Sequence, residues 1–126
     1  WKAKTLDLSP ILAKPSPLPN DHTFCCIPQD HGLATTMDNK LIELAKPAIE
    51  HGKQITATLP IKNLNRTVGA TLSGVIAKSK GEAGLPDGTI NFMFQGSAGL
   101  SFGAWLVNGV TFKVEGDAND YFGKGL

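Results

Sequence analysis

From Gln54 onward the apolar positions recur every second residue: Ile55, Ala57 and Leu59 alternate with Thr56 and Thr58. That period belongs to a strand with one buried face. The alternation returns at Ile90, Phe92 and Phe94 and again at Val110, Phe112 and Val114, with mostly polar residues between them. Upstream the period lengthens. Leu33, Met37, Leu41, Leu44/Ala45 and Ala48 are spaced as on one helix face, and Gly52 supplies a stop. Pro47 removes a backbone donor and pushes Lys46 towards extended geometry, so the pattern predicts a helix ending near Ala45 and a fresh turn starting at Pro47. A further helix is expected over 70–80, closed by Gly81, although Gly74 weakens it by about 1 kcal/mol relative to alanine.

The later strands belong to a repeat. Residues 90–106 laid over residues 110–126 match at six of seventeen positions: Phe92/Phe112, Gly96/Gly116, Ala98/Ala118, Phe102/Phe122, Gly103/Gly123 and Leu106/Leu126. Unrelated segments would match at about one position in seventeen. In each copy a glycine follows the strand, where the chain can turn sharply without a Cβ clash. A 20-residue repeat of this kind predicts strands stacked ~4.8 Å apart with like residues over like. Phe92 is then expected over Phe112, Phe94 over Val114, Phe102 over Phe122, and Gly103 over Gly123. A fainter copy places Asn63 to Gly69 where Ser97 to Gly103 sit, 34 residues earlier.

These patterns predict a mainly β chain, a right-handed β-helix (β-solenoid) whose rungs are preceded by an extended arm and short helices. Residues 1–30 form the arm, because Pro10, Pro15, Pro17, Pro19 and Pro28 block helix interiors and ladders. Leu6, Leu8, Ile11 and Leu12 on it call for a neighbouring surface. Residues 31–53 form the helical segment. Residues 54–126 form the rungs, left open at the C-terminal end, where unpartnered strand edges imply a longer protein or a cap.

Composition narrows the function. The chain has 126 residues and a formal net charge of +1, and Arg66 is its only arginine. Its basic residues are scattered, which argues against nucleic acid as a partner, since phosphate binding needs a concentrated basic face. No stretch approaches the ~20 apolar residues of a membrane span, and the first fifteen residues lack a signal-peptide core. Adjacent Cys25 and Cys26, with no further cysteine, fit a reducing compartment, so the cytoplasm is expected.

Candidate chemistry is sparse. Gly96, Gly99 and Gly103 follow a strand but do not match a dinucleotide fingerprint, and no crossover helix separates them from the strand at Val110. Gly123-Lys124-Gly125 lacks the early glycine and the hydroxyl of a phosphate loop. Asp117, Asn119 and Asp120 suit turns better than a calcium loop. His22, Cys25, Cys26 and His31 supply metal-ligand types, but adjacent cysteines do not easily fill two tetrahedral positions. Arg66 is a candidate interdomain ion pair, for which a planar guanidinium is suited.

Several motifs together resemble the large (α) subunit of glutamate synthase at the start of its C-terminal GXGXG domain. They are Pro28-Gln-Asp-His-Gly32, Asp38-Asn-Lys-Leu-Ile-Glu-Leu-Ala-Lys-Pro47, Asn65-Arg-Thr-Val-Gly69, Gly96-Ser-Ala-Gly99 with Ser101-Phe-Gly103, and Gly116-Asp-Ala-Asn-Asp-Tyr-Phe-Gly-Lys-Gly125. Trp1-Lys-Ala-Lys-Thr-Leu-Asp-Leu-Ser9 resembles the connector leaving that enzyme's FMN-binding synthase domain. The resemblance implies a right-handed β-helix with structural glycines at Gly69, Gly96, Gly99, Gly103, Gly116, Gly123 and Gly125. It also implies a parent enzyme that makes two glutamates from glutamine and 2-oxoglutarate, using FMN, an iron–sulfur cluster and electrons from NAD(P)H or ferredoxin.

Catalytic residues of that family lie elsewhere. A chain starting at Trp1 lacks the N-terminal cysteine of the glutaminase, and Cys25 and Cys26 do not match the cluster ligands. The resemblance therefore implies no catalytic, cofactor or metal residue here, and an inactive scaffold packed against the FMN domain. Its partners are other domains of the same large subunit and a candidate second subunit. Two rival readings stand beside it: a freestanding β-helix interaction subunit, similar to the glycine-rich subunit of formylmethanofuran dehydrogenases, and a small metal-binding domain.

Overall fold

The computed structural model describes residues 2–126, so Trp1, the first residue of the connector-like segment, lies outside the described residues. The chain divides into two compact units, Trp1–His31 and Gly32–Leu126. In the first, proline limits regular structure to a 3-10 turn at Lys2–Thr5 and one short helix, α1, at Ser9–Leu12. Pro10 occupies the start of α1, where a missing N–H costs nothing. The Asp7 carboxylate accepts the Ser9 N–H at 2.9 Å, and hydrogen bonding to Ser9 holds its pKa below the usual carboxylate value.

The second unit opens with helix α2, Met37–His51, which buries Asp38, Leu41, Ala45, Ala48 and Ile49 along one side. The helix does not stop at Ala45. Pro47 lies inside it, against expectation, and the reason is local. A proline interior to a helix loses its bond to the carbonyl four residues back, here that of exposed Glu43, which water can reach. Ala48 and Ile49 are 0% and 7% exposed, so ending the helix earlier would forfeit their burial. Gly52 then closes it in a left-handed conformation, φ 67°, with its N–H on the Ala48 carbonyl and the Lys53 N–H on that of Pro47.

Strand β1, Ile55–Ile61, is followed by helix α3, Ala70–Lys80, and then by β2, Ile90–Ala98, and β3, Val110–Ala118. The strands form one parallel sheet in the order β1-β2-β3. β2 and β3 pair at an offset of 20 residues, Phe92 beside Phe112 and Gly96 beside Gly116. β1 and β2 pair at an offset of 35, Ile55 beside Ile90 and Ile61 beside Gly96. Past the strands that offset falls to 34, because the Gly99 N–H bonds the Asn65 carbonyl. The extra residue sits in a tight turn at Lys62–Asn65, where the Asn65 N–H donates to the Lys62 carbonyl at 2.8 Å and the Asn65 side-chain oxygen accepts the Lys62 N–H at 2.9 Å.

The expected mainly β architecture, a right-handed β-helix, is overturned. The fold is 31% helical and 20% strand, with a single open three-stranded parallel sheet. Each repeat contributes one strand to that sheet and then passes through glycine turns, while α2 and α3 supply apolar residues to the same core. That core joins Leu41, Ala45 and Ile49 of α2 and Leu72 and Ile76 of α3 to the inward residues of the strands. No helix among the described residues is long and apolar enough to cross a membrane.

Candidate functional site

One charged side chain is buried among the described residues: Asp38, at 3% exposure. It stands in the first turn of α2, yet its carboxylate serves α3. Oδ1 accepts the N–H of Gly69 at 2.8 Å, and Oδ2 accepts those of Thr71 at 2.7 Å and Leu72 at 3.1 Å. A helix start leaves its first N–H groups without intrahelical partners and carries partial positive charge, so a carboxylate there satisfies both needs. The residue at the N-cap position, Gly69, has no side chain to do this. Asp38 therefore ties the start of α2 to the start of α3, and its three acceptor contacts are backbone amides. Nothing in the spacing of the chain distinguishes it from an ordinary acidic residue in a first helical turn, which is why sequence reasoning did not single it out.

The glycines and phenylalanines build the second feature. Gly96 and Gly116 are neighbours in adjacent strands with φ 129° and 137°, a region that other residues avoid. A Cβ on Gly96 would collide with the Ile61 carbonyl oxygen, and one on Gly116 with the Gly96 carbonyl oxygen. Gly99 has no such φ, but a Cβ there would meet the Asn63 and Asn65 carbonyl oxygens at 2.5 Å. The side chains obey the same stacking. Phe94 meets Phe102 and Phe112 edge-on at 5.1 and 5.0 Å between ring centroids, Phe92 lies 6.1 Å from Phe112, and Phe102 stacks on Phe122 at 5.6 Å. Phe92, Phe94 and Phe102 are buried, Phe112 and Val114 half-buried, and Phe122 is 57% exposed.

The loop backbones follow the strands. Ser101 donates to the Asp120 carbonyl at 2.8 Å, Gly123 to that of Phe102 at 2.9 Å, and Gly103 to that of Val68 at 2.9 Å. Gly69 packs against Leu106 and Phe112, and Gly125 against Trp105. Gly103 and Gly123 each turn in the left-handed region above a leucine, Leu106 and Leu126. Arg66 is exposed and lines an open cleft of about 340 Å³ with Thr35, Thr36, Met37, Leu64 and Asn65. It belongs to none of the ion pairs found among the described residues.

The remaining candidates stay apart. His22 stacks near Phe24, at 5.4 Å. Cys25 and Cys26 are exposed free thiols, and the Cys25 Sγ lies 3.3 Å from the Ile27 carbonyl. No group of three or more His, Cys, Asp or Glu side chains among the described residues could hold a metal ion. Asp117, Asn119 and Asp120 border an open hollow with Asn63, whose side-chain oxygen accepts from Asn119 at 3.0 Å. The polar groups thus brought together are mostly engaged in joining one segment of backbone to the next.

A parallel sheet locked by glycines at backbone contacts defines a class of domain, and residues 38–126 match the GXGXG motif family. The chain belongs to that family, and it is a GXGXG domain of the kind found in glutamate synthases. It is 49% identical over 126 residues to the NADH glutamate synthase of Schizosaccharomyces pombe, covering 99% of this chain and 6% of that protein. It is 42% identical over 127 residues to the large chain of the NADPH glutamate synthase of Bacillus subtilis, covering 100% of this chain and 8% of that one. The ferredoxin-dependent glutamate synthase of Pyropia yezoensis is 42% identical over 109 residues, 85% of this chain and 7% of the relative. The chain thus spans well under a tenth of the length of each of these relatives.

Proposed function

We propose that this domain is a non-catalytic structural and interface part of a glutamate synthase, packed against the FMN-binding synthase domain of the same subunit. The observation that carries the reading is the use made of Asp38: the one buried charge among the described residues is spent on three backbone amides that join two helices. A general acid or base needs a carboxylate within reach of a substrate proton. Support also comes from the relatives, whose printed names specify NADH, NADPH or ferredoxin, while the matching segment recurs in all three. A segment common to three electron donors is better explained by architecture than by donor binding. In this reading FMN and the iron–sulfur cluster belong to the parent enzyme and lie outside this chain, and the free thiols suit a reducing cytoplasm.

The purified chain tests this directly. It is expected to show neither glutamine hydrolysis nor glutamate formation from glutamine and 2-oxoglutarate. It is also expected to bind the separately produced FMN-containing domain of a glutamate synthase in a pull-down. Turnover by the chain alone, or no binding to that domain, overturns the reading.

A further inference from the structure

The two outer edges of the sheet differ. In β1 the Ile55 N–H reaches the Thr89 carbonyl at 2.8 Å, so its odd-numbered residues address β2 and Pro60 faces outward. Proline has no N–H to offer there, which blunts that edge. At the other edge the Ile90 N–H reaches the Gly109 carbonyl at 2.9 Å and the Asn119 N–H reaches the Ala98 carbonyl at 3.1 Å. The odd-numbered residues of β3 therefore turn their backbone groups to β2. Val110, Phe112, Val114, Gly116 and Ala118 turn theirs away from it. β3 contains no proline, and Phe112 and Val114 are only half-buried beside this open ladder.

We propose that this edge pairs with the same edge of a second copy of the chain, β3 against β3, antiparallel, about a two-fold axis at Val114. Backbone groups that face outward must oppose their like, which places the axis on a residue rather than between two. Val114 is the middle of Val110–Ala118, so all nine residues of the strand pair. Phe112 then lies across from Gly116, where its ring covers a position without a side chain. Lys113 lies across from Glu115, twice by symmetry. Moving the axis one residue either way sets Lys113 against Lys113 or Glu115 against Glu115, and like charges directly opposite are destabilising. Overlap and charge select the same register.

The chemistry at the charged positions suits the pairing. Residues 113 and 115 face each other at non-hydrogen-bonded sites, where opposed Cα atoms come to about 4.5 Å. Lys113 and Glu115 are both exposed. The Gln95 amide donates to Glu115 Oε2 at 3.0 Å, which holds that carboxylate on the polar face and leaves its other oxygen for the lysine. The product is a continuous six-stranded sheet, two copies of the three-stranded one, with the apolar residues at both open ends brought together.

Sedimentation equilibrium of the purified chain, with hydrogen exchange across a concentration series, tests the proposal. A dimer is expected, with exchange at Phe112, Val114, Gly116 and Ala118 slowing as concentration rises while that at Thr111, Lys113 and Glu115 is unchanged. Lys113→Glu should weaken association about tenfold or more, and adding Glu115→Lys to it should restore the dimer. Lys113 is exposed, so circular dichroism should show both variants folded. A monomer throughout, a dimer indifferent to both substitutions, or growth beyond the dimer into open assemblies each overturns the proposal.

Discussion

Replacing Asp38 with alanine removes one carboxylate and strands three backbone donors, of which those at Gly69 and Leu72 are buried and that at Thr71 is partly so. A hydrogen bond to a charged group contributes about 1.5–3 kcal/mol, and an orphaned buried donor costs about 1–3 kcal/mol. The losses overlap, since each counts the same bonds from two sides, and water can reach Thr71. An overall destabilisation of about 3–4 kcal/mol follows, against a stability of about 5–15 kcal/mol for a domain. Asp38→Asn keeps the shape and one acceptor oxygen but turns an NH₂ towards an N–H, so about 1–2 kcal/mol is expected. Urea denaturation at 25 °C, followed by far-ultraviolet circular dichroism, measures both against the parent chain with m-values compared. A loss below about 1 kcal/mol for Asp38→Ala would refute the reasoning, because the helix starts would then be held by apolar packing alone. A loss for Asp38→Asn equal to that for alanine would refute the part assigned to shape.

The glycines separate three physical causes in one set of variants. Gly116→Ala, strained in φ and blocked by the Gly96 carbonyl, and Gly99→Ala, blocked by two carbonyl oxygens, should each cost about 3 kcal/mol or more. Gly74→Ala, in mid-helix with nothing within 4 Å, should stabilise by about 0.5–1 kcal/mol; equal effects at all three sites would discredit the close-approach account. Pro47→Ala restores the helical N–H to the Glu43 carbonyl and should stabilise by about 1–2 kcal/mol once the looser unfolded chain is counted. A lowered melting temperature for that variant would show that the ring's packing outweighs the missing bond. Lys46, raised in pKa by its hydrogen bond to Glu43, makes an exposed ion pair at 2.8 Å, and Lys46→Gln should change stability by less than about 0.5 kcal/mol.

Much of the local structure was legible along the chain because it depends on near neighbours. The two-residue period marked β1, β2 and β3, the glycine at 81 marked the end of α3, and the 20-residue repeat carried the register in which Phe92 meets Phe112. The family was legible from motif residues spread over most of the length, and residues 38–126 carry its match. Other features depended on groups far apart in sequence. Pro47 argued for a broken helix, and only the burial of Ala48 and Ile49 explains its continuation. Repetition argued for a chain built mainly of strands, yet periodicity measures spacing and not what the residues between do, and here α2 and α3 supply part of the core. Asp38 is the clearest case. Its place in the sequence made it one acid in a first helical turn, whereas the tertiary structure sets it against amides at residues 69, 71 and 72, where the field of a second helix start and the absence of water decide its role.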